Sequence, residues 1–225
     1  MKFTSVSVMA AVAIAAGGVS VSQAQVWEEM DSGGMNGSPD AGQTLPTANV
    51  TSGLGALTTI TGRLISTGDA DLYQIRIADP DNFVATVAGG VAGDTNLSLF
   101  DSTGVALAFN NNDPMGGTGS RLTNAFVGSA GLYYIAVSRN DSFGGFFGIP
   151  FDVNFNPIFD SAPADQELPP ITPGTVLNDW PVAGGFQLFN YNYTLVLTGA
   201  EYAIPAPGAG VLLGVGGLML ARRRR

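Results

Sequence analysis

The residues best suited to chemistry in this chain are acidic and amide side chains placed in predicted turns. Asp69 and Asp71 flank Ala70 where a turn leads into a β-type pattern. Neighbouring connections carry further oxygen donors, namely Asp94, Asp101, Asn110, Asn112 and Asp113. Because Ca²⁺ accepts carboxylate, amide and carbonyl oxygens in irregular geometry, we predict Asp69 and Asp71 as calcium ligands, although no contiguous calcium-loop motif is present. The alternative is conformational, since Asp, Asn and Gly also dominate turns.

The composition removes most catalytic mechanisms. The chain has no Cys and no His, which excludes disulfides, Cys/His zinc sites, haem or iron–sulfur ligation, and Ser-His-Asp or Cys-His nucleophiles. A Ser-Lys dyad also fails, because Lys2 is the only lysine. Two close carboxylates in a cleft could still hydrolyse a glycoside, but the acids lie mainly in turn contexts. We predict a protein that is not an enzyme and has no cofactor other than Ca²⁺.

The charge distribution narrows the choice of partner. All 18 acids lie between Glu28 and Glu201, and that stretch contains only four arginines. Such an acidic body repels a nucleic acid backbone and an anionic lipid surface, so neither is expected as a partner. Divalent cations or neutral glycans suit it better. The alternative is that the acidity only keeps an exported protein soluble.

Residues 1–24 are typical of a secretory signal peptide. Lys2 supplies the positive charge, residues 6–19 are apolar or small, and Ser22 and Ala24 place small residues before Gln25. We therefore predict cleavage between Ala24 and Gln25. A retained anchor is the alternative, but a bilayer requires about 20 apolar residues.

The C-terminus combines a proline motif, an apolar run and a basic end. Pro205, Ala206 and Pro207 precede an unbroken apolar run over 208–221, and the chain ends with Arg222, Arg223, Arg224 and Arg225. A helix over this run would be about 21 Å long, which is shorter than the roughly 30 Å hydrocarbon core of a bilayer. We predict a short apolar helix that tethers the protein transiently to the inner membrane, with the arginines cytoplasmic. A permanent C-terminal anchor is the alternative.

The region between these ends has a period of two, which is typical of β-strands. Apolar residues alternate through 71–77 and 132–138, and the segments 97–100 and 105–109 flank a polar turn at 101–104. Further strands are predicted at 58–64, 83–87, 122–127 and 191–198. Short strands without a helical pattern indicate an all-β fold, an antiparallel, jelly-roll-like β-sandwich over 57–200.

Two segments lack this period. Residues 25–56 are rich in Gly, Pro and small polar residues, so we predict a flexible leader there. The insertion at about 140–186 contains many phenylalanines and Trp180, and 151–155 could add a strand. We expect its aromatic rings to pack on the sandwich, and an exposed subset would form the contact surface. Trp180, Phe186, Phe189 and Tyr191 could alternatively stack on a sugar.

The last 22 residues, 204–225, resemble the PEP-CTERM sorting signal of Gram-negative bacteria, which joins a short proline motif, an apolar helix and terminal arginines. The resemblance implies an exosortase-like processing enzyme, a membrane-embedded cysteine transpeptidase, as a partner. It also implies release or attachment at the cell surface, often among exopolysaccharide. The sequence departs from the family at Ala206, where the motif has Glu.

The order of motifs over about 57–199 resembles the bacterial pre-peptidase C-terminal (PPC) domain. The resemblance rests on the segments 60–64, 68–73, 96–104, 110–113, 131–137 and 193–195. It implies a small jelly-roll-like β-sandwich of the kind appended to secreted proteases and other exported proteins. The insertion after Asn140 departs from the compact family pattern.

Together these features predict a non-enzymatic exported protein of the cell surface or extracellular matrix. Its sandwich would mediate adhesion to exopolysaccharide or envelope components. The alternatives are an accessory binding module for a secreted hydrolase and a calcium-binding surface module.

Overall fold

The computed structural model describes residues 25–29, 40–66, 68–88, 94–113, 119–140, 148–163, 165–180 and 188–205. Within these ranges the chain forms β-strands and three single-turn 3₁₀ helices, and no α-helix. The strands are β1 (Gln25–Glu28), β2 (Asn49–Val50), β3 (Ser52–Gly53), β4 (Leu57–Ser66), β5 (Ala70–Ile77), β6 (Val84–Ala88), β7 (Thr95–Asp101), β8 (Ala106–Asn110), β9 (Arg121–Leu122), β10 (Gly131–Arg139), β11 (Leu188–Thr198), β12 (Ala200–Tyr202) and β13 (Ile204–Pro205). The predicted all-β class is confirmed.

The strands form two large sheets and one small one. The five-stranded sheet has the order β1-β4-β11-β6-β9, and the six-stranded sheet has the order β12-β5-β10-β7-β8 with β2 also paired to β5. The long strands pair antiparallel, as predicted. Three short pairs, β1–β4, β2–β5 and β13–β3, are instead parallel.

The main core lies between the two large sheets. Strand β5 directs Tyr73, Ile75 and Ile77 into it, and β11 contributes alternate residues that include Leu195 and Leu197. These are the faces that the period of two predicts, because successive side chains of a strand point to opposite sides of a sheet. Burying both apolar faces against each other holds the two sheets together.

Local turn chemistry explains one confirmed strand pair and one wrong strand. The hairpin β7–β8 turns at Gly104, whose φ of 84° favours glycine, and the Asp101 carboxylate accepts hydrogen bonds from the Thr103 and Val105 amides. The predicted strand at 122–127 is mostly wrong. Thr123 caps a 3₁₀ helix over Asn124–Phe126, so only β9 remains extended there.

The predicted flexible leader differs from the structure in its described parts, 25–29 and 40–56. Strand β1 pairs with β4, the Ala41 side chain is buried, and the Thr51 hydroxyl donates to the Gln74 carbonyl at 2.8 Å. Each of these strands has at most four residues. Such short stretches cannot display a period, so their order comes from contacts with the sandwich rather than from local pattern.

The insertion covers the outer face of the six-stranded sheet. Phe100 and Phe109 on that sheet pack against Phe159 and Trp180 of the insertion, with ring centroids 5.2 to 6.2 Å apart. The expected packing of the insertion's aromatic rings on the sandwich is confirmed for Phe159 and Trp180, whereas the Phe155 side chain is exposed. The predicted strand at 151–155 is wrong, because Phe151 makes only isolated bridges to Pro157 and Asp179.

The signal peptide at 1–24 and the tail at 206–225 lie outside the described residues, so both stay predictions. Of the proline motif only Pro205 is described, and it pairs with Gly53 in the small sheet. Within the part of the chain that the structure describes, no helix is long and apolar enough to span a membrane.

Candidate metal centre

Three carboxylates converge beside the edge of the five-stranded sheet. Glu29 follows β1, Asp40 begins the next described segment, and Asp71 lies on β5 of the opposite sheet. One carboxylate oxygen from each lies within 4.8 Å of the other two. We call these three residues the acidic cluster.

Backbone pairing explains the position of Glu29. Its amide donates to the Thr61 carbonyl at 2.8 Å, which continues the β1–β4 ladder by one residue. Its carboxylate then accepts hydrogen bonds from the Ala41 amide at 2.7 Å and the Arg63 amide at 2.8 Å. Gly62 leaves the necessary space, because a Cβ there would collide with the Glu29 carboxylate and the Tyr193 hydroxyl.

Asp71 is the most deeply buried member of the acidic cluster, with no exposed surface. The Tyr193 hydroxyl donates to its Oδ2 at 2.7 Å, and the Tyr73 and Tyr193 hydroxyls lie 2.6 Å apart. Its Oδ1 is buried and has no hydrogen-bond partner among the residues that the structure describes. A buried carboxylate oxygen without a partner costs free energy, so this position favours a bound cation.

The electrostatics of the site disfavour negative charge in the absence of a cation. Burial raises the pKa of the Asp71 carboxyl well above its ordinary value, and the nearby Glu29 and Asp69 carboxylates raise it further. Burial also raises the pKa of Asp69 to about 6 and raises that of Glu29. A divalent cation would reverse these effects by attracting the ionised carboxylates.

The donor set suits calcium better than other divalent ions. The cluster offers only oxygen atoms, which suit Ca²⁺ and Mg²⁺, whereas zinc sites usually include Cys or His. Mg²⁺ demands near-ideal octahedral geometry and gives up its waters reluctantly, whereas Ca²⁺ accepts irregular sets of oxygen ligands. Three carboxylates from three separate segments, with their oxygens within 4.8 Å of one another, therefore suit a calcium ion.

The two predicted ligands have different positions. Asp71 belongs to the acidic cluster. Asp69 lies beside it, close enough for the Glu29 and Asp40 charges to raise its pKa, and accepts a hydrogen bond from the Ile65 amide at 2.6 Å. The predicted pair thus lies at the site, and calcium binding by either residue stays a prediction.

The other predicted oxygen donors lie outside the acidic cluster, and among them the Asn112 side-chain amide donates to the Asp94 carboxylate at 3.2 Å. Asp101 stabilises the β7–β8 turn, as described above. Asp94 accepts a hydrogen bond from the Asn140 side chain at 2.7 Å, and Asn110 accepts one from the Arg121 amide at 2.8 Å. Asn112 and Asp113 follow β8. For Asp101, the conformational alternative describes the structure best.

Sequence reasoning missed Glu29 and Asp40. Both fall in the segment predicted to be a flexible leader, and no spacing relates either residue to Asp71. The only available signal is their acidity. They meet Asp71 because β1 pairs with β4 and because the Ala41 amide, next to Asp40, donates to the Glu29 carboxylate.

The aromatic residues considered for sugar stacking do not form one described platform. Trp180 is buried, and its indole donates to the Gly148 carbonyl at 3.3 Å. Tyr191 is partly buried with the Arg139 guanidinium 4.7 Å from its ring centroid. Phe186 and the side chain of Phe189 lie outside the described part of the chain.

Family models, curated proteins and solved structures give no match to this chain. The resemblances to the PEP-CTERM signal and to the pre-peptidase C-terminal domain therefore stay predictions.

Proposed function

We propose that this chain is a non-enzymatic, calcium-binding β-sandwich of the bacterial cell surface or extracellular matrix. The observation that carries the calcium site is the unpartnered Oδ1 of fully buried Asp71 beside the carboxylates of Glu29 and Asp40. A buried acid with two acidic neighbours requires either protonation or a cation. Where the carboxylates are ionised, calcium supplies the required cation.

The burial of the acidic cluster supports a structural ion over a catalytic pair. A glycosidase requires its two carboxylates to flank a bond of the substrate. Asp71 has no exposed surface, and the tyrosine hydroxyls of Tyr73 and Tyr193 occupy its neighbourhood. A bare ion can reach such a position, whereas a polysaccharide chain cannot.

Export and sorting complete the proposal. The signal peptide pattern supports export, and the proline motif with the terminal arginines supports processing by an exosortase-like enzyme after transient tethering to the inner membrane. The strand order within the PPC resemblance supports a jelly-roll-like sandwich. The test is the intact mass of the protein from its native host, measured separately for envelope and medium. Loss of residues 1–24 and of the segment after about 207 is expected, and retention of the four terminal arginines would contradict sorting.

Calcium binding is tested by titration calorimetry on the full chain after chelator treatment. The unaltered chain is expected to bind calcium more tightly than magnesium, with an affinity in the range of extracellular sites, about 10⁻⁴ to 10⁻³ M. Asp71→Asn removes the charge while keeping the shape, so it should abolish binding. Asp165→Asn is the matched control, because Asp165 is an exposed acid of the insertion. Equal binding by both variants would contradict the site.

An exposed part of the insertion supports adhesion as the role of the sandwich. The side chains of Val153 and Phe155 are 72% and 77% exposed, and Phe155 has a φ of 61°, which is strained for a residue other than glycine. Val153 lines an open groove of about 410 Å³ together with Asp152, Thr175 and Asn178, and Phe155 belongs to the same turn, because its amide donates to the Asp152 carbonyl at 3.0 Å. An aromatic ring beside carboxylate, hydroxyl and amide groups suits a neutral glycan.

The adhesive surface is tested by cosedimentation with exopolysaccharide from the native host. Phe155→Gly should weaken binding, because it removes the exposed ring from a backbone position that glycine accepts. Ile171→Ala is a control, since it also removes an exposed apolar side chain. Unchanged binding by Phe155→Gly would exclude this surface.

A further inference from the structure

Strand β1 is a short strand at the edge of the sandwich. It has four residues and forms a parallel pair with β4 at the edge of the five-stranded sheet. Val26 is half exposed, and Trp27 is only partly buried, with its ring 6.4 Å from the ring of Tyr202. A short edge strand of this kind belongs to the least stable parts of a fold.

Glu29 connects this weak strand to the acidic cluster. It follows β1 directly and continues the pairing with β4 through its amide, while its carboxylate reaches Asp40 and Asp71. Detachment of β1 would therefore remove one of the three carboxylates from the site. Attachment without a cation would bring three acids together, and their mutual repulsion opposes it.

The chain connectivity strengthens this coupling. Glu29 and Asp40 stand on either side of residues 30–39, and their carboxylate oxygens lie within 4.8 Å of each other. A single ion bound by both would join the end of β1 to the described segment that begins at Asp40. The third ligand, Asp71, lies on β5, so the same ion would connect the N-terminal segment to the six-stranded sheet.

We infer that calcium binding to Glu29, Asp40 and Asp71 fixes the N-terminal strand β1 on the sandwich. We call this arrangement the latch. This inference rests on the proposed calcium site. A ligand that binds the docked state better than the undocked state must stabilise docking by the same factor. The N-terminal segment is thus expected to be attached in calcium-rich surroundings and released when calcium is removed.

Hydrogen–deuterium exchange on the unaltered full chain tests the latch directly. The amides of Glu29 and Arg63 report docking, because they donate to Thr61 and to the Glu29 carboxylate respectively. At free calcium about ten times the dissociation constant, exchange at these amides should slow about tenfold relative to the chelated sample. The central strand β10 serves as the internal reference, since its exchange should change little.

Glu29→Gln provides the matched variant. It keeps the length of the side chain but removes its charge and replaces one of the two oxygens that accept from the Ala41 and Arg63 amides with an NH2 donor. The β1 amides should therefore exchange faster than in the unaltered chain, and at the same rate with and without calcium, because the variant cannot complete the calcium site. Asp165→Asn should keep the full calcium response.

Tryptophan fluorescence gives a second readout. Trp27 and Trp180 are the two tryptophans of the chain, so Trp180→Phe leaves Trp27 as the only tryptophan. Calcium should shift its emission to shorter wavelength and reduce quenching by acrylamide.

The outcomes separate the latch from the site on which it rests. Calcium binding with unchanged exchange at β1, and with Glu29→Gln binding as tightly as the unaltered chain, would overturn the latch and leave a calcium site at Asp71. Absence of calcium binding to the unaltered chain in calorimetry would overturn both. Slower exchange at β1 that depends on Glu29 supports both.

Discussion

Two segments without strand periodicity lie against the same sandwich, and different forces hold them there. The N-terminal segment, described at 25–29 and 40–56, is attached through short strands and the partly buried carboxylates of Glu29 and Asp40. The insertion, described at 148–163 and 165–180, is attached through Phe159, Trp180 and other apolar side chains packed on the six-stranded sheet. Irregular sequence therefore says little about whether a segment is ordered.

The two attachments should respond to different conditions. Apolar burial is insensitive to ions, whereas a cluster of acids changes with cations and with pH. The attachment of the N-terminal segment should therefore vary with calcium and pH, whereas the attachment of the insertion should not. The following predictions test this contrast.

The largest effect is expected from Trp180→Ala. Trp180 is 2% exposed, and its ring centroid lies 6.1 Å from that of Phe100. Removal of the indole therefore leaves a cavity under the insertion. The free energy of unfolding should fall by about 3 to 5 kcal/mol. Chemical denaturation with and without calcium measures it, and the loss should be the same in both. A loss of stability that is smaller in the presence of calcium would contradict the proposed difference between the two attachments.

The next effect concerns pH in the calcium-free chain. Asp69 has a folded pKa of about 6 against an ordinary value of 3.8, so the folded state keeps a proton that the unfolded state has already released. Stability should therefore fall as pH rises from about 4 to 6, by up to about 3 kcal/mol. Denaturation at several pH values measures this trend.

Two controls accompany the pH series. Asp69→Asn should reduce the slope, because it removes one titrating group and leaves Asp71 and Glu29, whose pKa values burial also raises. Saturating calcium should reverse the trend in the unaltered chain, since the ion binds the ionised carboxylates. A calcium-free stability that rises over this pH range would contradict the raised pKa.

A smaller effect is expected from Gly62→Ala. The added Cβ collides with the Glu29 carboxylate and the Tyr193 hydroxyl, which should cost about 1 to 3 kcal/mol and abolish stabilisation by calcium. Thermal unfolding with and without calcium measures both consequences. Gly128→Ala is the matched control, because its Cβ would meet no atom within 4 Å.

The smallest change in stability is expected from Phe155→Gly. Its side chain is mostly exposed and its backbone lies in the left-handed region, so glycine should be neutral or stabilise the fold by up to about 1 kcal/mol. Thermal unfolding measures this change. A marked destabilisation would show that the ring supports the insertion, as Trp180 does, and would remove it from the adhesive surface.

The sandwich strands were largely predictable because their signal is local. The alternation of Tyr73, Ile75 and Ile77 predicts β5, and Gly104 after a polar turn predicts the β7–β8 hairpin. The strand at 122–127 was wrong because Thr123 accepts a hydrogen bond from the Ala125 amide and starts a 3₁₀ turn. Alternation alone could not reveal that competing bond.

The candidate site was predictable only in part, because it depends on contacts between distant residues. Asp69 and Asp71 stand in a turn-to-strand context that suggests oxygen ligands. Glu29 reaches them through an edge strand of four residues, and Asp40 through the hydrogen bond from the neighbouring Ala41 amide to the Glu29 carboxylate. Neither path leaves a periodic pattern, so no property of the sequence near Glu29 or Asp40 indicates the site.

The pairing of Pro205 with Gly53 limits the free length of chain before the proposed C-terminal processing site. The predicted sorting motif begins at Pro205, so the last described strand and the first residue of the motif coincide. An enzyme that cuts at this motif must act directly beside the folded body, or β13 must first separate from β3. Lengthening the chain between Tyr202 and Pro205 with a few glycines would then raise the rate of processing.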